Sequence, residues 1–128
     1  MSITDNKYNL TMWQGSTFSF EIVVNDSEDK PEDLTGFIAR MQIRPSYKSS
    51  TIIESLSSST GEITIDGTNG KLSVALSAAR TAAVKVNMTN GKPPRTVYVY
   101  DLEIEDSTQH IVSKILWGDI TVYGEVTR

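Results

Sequence analysis

The stretch Val97–Glu105, VYVYDLEIE, is the longest clean alternation in the chain. Val97, Val99, Asp101, Glu103 and Glu105 fall on one side, and Tyr98, Tyr100, Leu102 and Ile104 on the other. Successive side chains of a strand point to opposite faces, so this segment lays one apolar face on a core and turns a mostly polar one to water. The periodicity of two fixes the fold class as all-β around it.

Working outward, the same period recurs. Tyr8–Trp13 alternates, with Tyr8, Leu10 and Met12 on one side. Thr17–Val24 sets Phe18, Phe20, Ile22 and Val24 on one face. Phe37–Arg44 places Phe37, Ala39, Met41 and Ile43 opposite Ile38, Arg40, Gln42 and Arg44, and Pro45 ends its ladder. Thr51–Leu56, Glu62–Ile65 and Lys71–Leu76 follow as short strands, the last two joined by Asp66–Gly70, whose Asp-Gly and Asn-Gly pairs tolerate turn geometry. Ser77–Val84 breaks the pattern: serine caps helices and alanine favours them, so one or two helical turns are expected there. After Val97–Glu105, Asp106–Gln109 is a tight connection. His110–Trp117 and Asp119–Tyr123 read as closing strands, with Gly118 a bulge or turn between them. About nine short strands at roughly 8–12-residue spacing predict an antiparallel sandwich, with a closed barrel as the alternative. The predicted core is Phe18, Phe20, Ile22, Met41, Ile43, Leu72, Val74, Tyr100, Leu102, Ile104, Ile115, Ile120 and Val122.

Length and composition narrow the function. At 128 residues without cysteine, the chain predicts a single domain, 1–128, with no disulfide, thiolate metal site or cysteine nucleophile. A net charge of −4 with no basic stripe argues against nucleic acid as a partner. No apolar run has the length of a membrane helix, and Met1–Asp5 does not have the form of a signal peptide. Residues 1–7 read as a flexible arm, and 124–128 as a short tail.

The candidate chemistry is sparse. His110 is the sole histidine and builds no metal cluster; it reads as a strand-end surface residue. Asp101, Glu103 and Glu105, with Asp106 beyond, are acids on one strand face. Such a set can serve as general acid and base or hold a divalent cation; the plainer reading is a solvated sheet face, with Arg40 and Arg44 positioned to face the acids across strands. Asp66–Gly70 lacks the ligand spacing of a calcium loop. No phosphate-binding, nucleophile-elbow or zinc-protease motif occurs. Three Asn-x-Ser/Thr triplets, at Asn9, Asn25 and Asn87, read as chance. Trp13 and Trp117, with Tyr98 and Tyr100, offer an aromatic platform for a sugar or receptor, or else packing. Catalytic residues, cofactors and metals are all expected to be absent.

Five stretches together point further. Asp33–Arg44, DLTGFIARMQIR, resembles the DLTG-x-x-ARMQIR strand of a family of small phage virion proteins. Leu10–Phe18, with Trp-Gln-Gly-Ser-Thr-Phe, is similar to that family's opening strand, and Gly70–Leu76 followed by Ser77–Ala82 to its strand and alanine-rich turn. Tyr100–Glu103 resembles its YDLE strand, and Leu116–Val122 with Glu125–Arg128 its closing segment. The likeness covers nearly the whole chain and lapses at Lys85–Arg95 and Ser46–Thr60. It implies an immunoglobulin-like β-sandwich and a non-enzymatic structural role in a tailed-phage particle, of baseplate or tail-fibre-attachment type. Neck and head positions are the alternatives. It also implies other virion proteins as partners, homo-oligomerisation in the particle, and a virion location after synthesis in the bacterial cytoplasm. The interface is expected at the termini and the charged, solvated hairpin loop Asn25–Asp33: Ile3, Thr4, Tyr8, Asp26, Glu28, Asp29, Glu125, Val126 and Arg128.

Overall fold

A computed structural model describes residues 6–128. The elements are β1 (Leu10–Trp13), β2 (Phe18–Val23), β3 (Phe37–Arg44), β4 (Glu54–Ser57), β5 (Ile63–Asp66), β6 (Lys71–Leu76), α1 (Ala78–Ala82), β7 (Arg95–Asp106) and β8 (Ile111–Tyr123). They form two sheets, ordered β1-β8-β7-β3-β4 and β2-β6-β5. β7, which contains VYVYDLEIE, lies at the centre of the larger sheet between β3 and β8.

This order is that of an immunoglobulin-like sandwich. β2, β6 and β5 form one sheet; β3, β7 and β8 form the other, extended by β4. β1 crosses over to lie beside the last strand and runs parallel to it, the one departure from an antiparallel arrangement among the described strands. Tyr98, near the start of β7, donates its hydroxyl to the Lys85 carbonyl upstream, the tyrosine-corner contact of this fold. No disulfide ties the sheets together. Their inner faces meet instead through Met41, Ile43, Tyr100, Leu102, Leu72, Val74 and Leu76, all buried.

Several boundaries differ from the sequence expectation. The closing segment is one strand, not two, because Gly118 stays in register opposite Tyr100. The register slips instead where Leu102 pairs Leu116 and Glu103 pairs Lys114, so Ile115 is the extra residue of a bulge. A bulge shifts side-chain phase by one. That is why Ile115 and Leu116, though adjacent, are both buried, and why Ile120 and Val122 of opposite parity still face the core. The strand expected at Thr51–Leu56 forms only at Glu54–Ser57. β2 and β3 lie in opposite sheets, so Asn25–Asp33 is a crossover rather than a hairpin loop, although an Asn25–Pro31 bridge closes part of it. Phe20 and Ile22 are only partly buried: β2 is a sheet edge, and little covers its flank.

The helix forms as expected. The Ser77 side chain accepts from the Arg80 amide and caps it. Thr81 is wholly buried and donates its hydroxyl to the Ser16 carbonyl at 2.9 Å, which seats α1 over one end of the sandwich.

Candidate functional site

The outer face of the larger sheet carries Asp101, Glu103 and Glu105 and pairs each with a basic side chain, while Asp106 accepts the Thr108 and Gln109 amides of its own turn. Register sets Arg40 opposite Glu103, and Glu103 opposite Lys114. Arg40 bonds Glu103 at 2.5 Å and Glu105 at 2.8 Å. Lys114 bonds Glu103 and lies 3.2 Å from Asp101. His110 Nδ1 lies 3.2 Å from Glu105. Burial draws the Glu103 carboxyl upward, but Lys114 and Arg40 outweigh it and hold the pKa below the usual range. Arg40 and then His110 do the same for Glu105. A general acid needs a raised pKa, and these two carboxyls are shifted the other way. Among the described residues, no group of three or more histidine, cysteine or acid side chains is placed to hold a metal ion. Arg44 does not join this ladder, contrary to expectation. Its guanidinium donates to the Ser49 carbonyl and the Gln42 side chain instead.

The aromatic platform is not assembled either. Tyr98 and Tyr100 are core residues, 6% and 2% exposed, and both hydroxyls are occupied, that of Tyr100 by the Tyr8 carbonyl at 2.5 Å. Burial raises the pKa of both phenols. Trp117 lies under the Lys7 ammonium, 5.6 Å from its ring centroid. Trp13, 45% exposed, stacks on Tyr123 with centroids 4.7 Å apart.

The expected interface residues divide into separate places. Ile3 and Thr4 lie outside the described residues. Residues 6 and 7, expected in a flexible arm, are tied to β8: Trp117 donates its amide to the Asn6 carbonyl, and Lys7 bridges to Trp117. Tyr8 is exposed yet donates its amide to the Trp117 carbonyl at 2.8 Å. Asp26 spends its carboxylate inside its own loop, accepting from the Glu28 and Lys30 amides, which lower its pKa. Asp29 has φ +62° and accepts from the Asn25 amide group. Glu28 is solvated beside Lys30. Tyr8 and Asp26 line one cleft with Ile22–Asn25 and Leu116. The tail is at the far end of β8, eight residue steps from Leu116, or roughly 27 Å. There Glu125 sits over Gly15, donates its amide to Gln14, and receives Arg128 on its carbonyl; Val126 is 94% exposed.

Two cross-chain contacts escaped sequence reasoning. Arg80 on α1 binds Glu54 of β4 at 2.6 Å and Glu62, just before β5, at 2.7 Å. It thereby clamps the edges of both sheets on one flank. The Thr60 hydroxyl and then Arg80 hold Glu62 down at about 2. Gln14 clips the opposite end of α1, donating to the Val84 carbonyl at 2.6 Å. Neither has a short-range signal, because the partners are 18 to 70 residues apart. Only the Ser77 cap, which fixes where Arg80 points, was visible locally.

Fold and surface together define an immunoglobulin-like β-sandwich whose outer-face acids Asp101, Glu103 and Glu105 are paired with basic side chains. No protein-family model matches the chain, and no curated protein matches it significantly. Among solved structures, it is similar to one of the extracellular domains of the voltage-gated sodium channel β4 subunit, described as parallel homodimers that explain that protein's role in cell–cell adhesion. The likeness covers 98% of each chain at 10% identity, with a TM-score of 0.45.

Proposed function

We propose that the protein is a non-enzymatic structural component of a tailed-phage particle, of baseplate or tail-fibre-attachment type. It binds other virion proteins, and further copies of itself, through sheet edges and termini. The reading rests on the stretches that resemble the virion family. The observation that carries it is that two of them are register partners. Along β3 and β7, Arg40 lies opposite Glu103, Met41 opposite Leu102, Gln42 opposite Asp101 and Ile43 opposite Tyr100. The ARMQIR and YDLE patterns are thus one physical unit: two core pairs alternating with polar pairs, locked by an Arg–Glu bond. That physical coupling of the two patterns is what supports the reading.

A second reading, a carbohydrate- or receptor-binding module, is favoured by the exposed Trp13 ring stacked on Tyr123. Immunogold electron microscopy of purified particles, with antibody against this chain, separates the two. Label at the tail tip or baseplate is expected. Label over the head or neck would recast the protein as a decorating or connecting component. Abundant protein in the lysate with none on particles would overturn the virion reading, and glycan-array binding lost on Trp13→Ala would then establish the second.

A further inference from the structure

We propose that the flank between β1 and β2 is a strand acceptor: an extended, uncharged segment of a neighbouring protein adds to the open edge of β2. This deepens the assembly reading above and rests on it for the partner's setting.

The backbone directions define the acceptor. The Ala75 amide donates to the Glu62 carbonyl, so odd-numbered residues of β6 turn toward β5 and even-numbered ones toward β2. In register, Leu76, Val74 and Leu72 therefore bond Phe18, Phe20 and Ile22. The amides and carbonyls of Ser19, Glu21 and Val23 point away from the sheet. Among the described residues, no group bonds to them. The same parity holds across the flank. Tyr8 and Gln14 donate their amides to β8, which turns the backbone of Asn9 and Thr11 outward.

On the opposite flank the edge of β4 is treated differently. There the Ser57 amide of β4 is taken by the Glu62 carboxylate, and the Ser55 carbonyl by Arg80. A bare edge invites pairing with another chain, and proteins usually blunt it. This molecule blunts the β4 edge with the Arg80 clamp, while among the described residues the outward groups of Ser19, Glu21 and Val23 on the six-residue β2 stay bare.

The lining specifies the occupant. The cleft between the edges runs along Tyr8–Trp13 and Ser16–Phe20, and none of these residues is charged. Phe20 and Ile22, inner-face positions of β2, are left half-covered. A strand added to β2 directs every second side chain inward over them and the others outward beside Ser19, Glu21 and Val23. Glu21 is already matched by Lys71 at 3.1 Å and by the Ser73 hydroxyl, so the edge offers no unmet charge. The complementary segment is apolar at alternate positions, with serine, threonine or asparagine between, and contains no proline. The first described residues are engaged elsewhere: Tyr8 donates its amide to the Trp117 carbonyl, and Lys7 bridges to Trp117 of β8. A second copy's β2, paired about Glu21, would set two carboxylates opposite each other.

The test is amide hydrogen exchange by NMR on the full chain, with and without the synthetic peptide Thr-Val-Thr-Ile-Ser-Val-Ser. Addition of the peptide is expected to slow exchange at Ser19, Glu21 and Val23 by about tenfold or more, while Ser55 at the clamped edge stays unchanged. A peptide N-methylated on the amides facing β2 should give no protection. Glu21→Pro removes an outward amide that no β6 residue uses; it should keep the fold and lose peptide protection. If that variant fails to fold, the N-methyl comparison decides. Unchanged exchange with the peptide, or equal protection by the N-methylated peptide, overturns the proposal. So does protection already present in the free chain, whether at all concentrations (the chain's own arm) or only at high ones (a second copy). Particle labelling is independent of this measurement, so failure of the virion reading and failure of the acceptor are told apart.

Discussion

Gly118 is the residue at which the opening and closing segments of the chain meet. A Cβ there would lie 2.6 Å from the Tyr8 carbonyl oxygen and 2.9 Å from the Asn9 side chain. That same carbonyl accepts the Tyr100 hydroxyl, and the Asn9 side chain accepts the Asp119 amide. Any side chain at Gly118 must therefore push residues 8 and 9 off β8 and break both bonds. Gly118→Ala is expected to cost about 1–3 kcal/mol. Urea unfolding measures the loss, and faster exchange of the Leu10 and Met12 amides would localise it to β1. A wild-type midpoint with unchanged exchange would show that the close approach is dispensable. The sequence marked Gly118 as unusual but suggested a bulge or turn. Its requirement is set by a strand more than a hundred residues away, and no local pattern carries that.

At the scale of elements, strands were legible and their partners were not. Alternation located β3, β6 and β7 nearly to the residue, because each buries one face, and a one-residue error would expose the whole apolar set. β8 was split in two because Gly118 reads as a bulge or turn, whereas it stays paired opposite Tyr100 and the bulge lies at Ile115. β4 was overextended because Ile52 and Ile53 read as strand while only Glu54–Ser57 pair. The helix was legible from Ser77 and the alanines; its role was not. α1 has five residues, too few to be stable alone, so its contacts hold it. Two substitutions separate these contributions. Ser77→Ala removes the cap and should cost about 1 kcal/mol. Arg80→Gln leaves Glu54 and Glu62, each about 15% exposed, without their cation; discounted for the partly exposed guanidinium, it should cost about 1–2 kcal/mol. Chemical denaturation of both variants checks this. An Arg80→Gln protein as stable as wild type would remove the clamp from the account of the occupied β4 edge.

For the whole molecule, composition and periodicity indicated a sandwich, but not which strands share a sheet or that β1 runs parallel to β8. That partition follows from which inner faces fit together, and it is what sets the charged residues in order. Lys71–Glu21, Arg40–Glu103–Lys114 and Arg80–Glu62 are all pairs across strands or elements. Their common effect is on acid stability. Lys71 and then Ser73 lower the pKa of Glu21, Thr35 that of Asp33, and Arg40 that of Glu105. Glu62 falls from an ordinary 4.5 to about 2. A carboxyl with a lower pKa folded than unfolded binds its proton more readily in the unfolded chain. Its contribution is therefore complete above the unfolded value and is lost as pH falls toward the folded one. For Lys114, burial pulls the pKa down but Glu103 and Asp101 raise it overall, and burial raises Tyr98 and Tyr100. Those groups stabilise fully below their unfolded values, near 10 to 10.5, and lose effect as pH climbs above them. The urea midpoint should thus be flat from about pH 5 to 9 and fall steeply between about pH 4.5 and 2. In Arg80→Gln the acid limb should be shallower, because Glu62 then retains only its hydrogen bonds from Thr60 and the Ser57 amide. A midpoint that rises on acidification, or an acid limb equally steep in the variant, would show that the ion pairs ordered by the two sheets do not govern the acid stability of the fold.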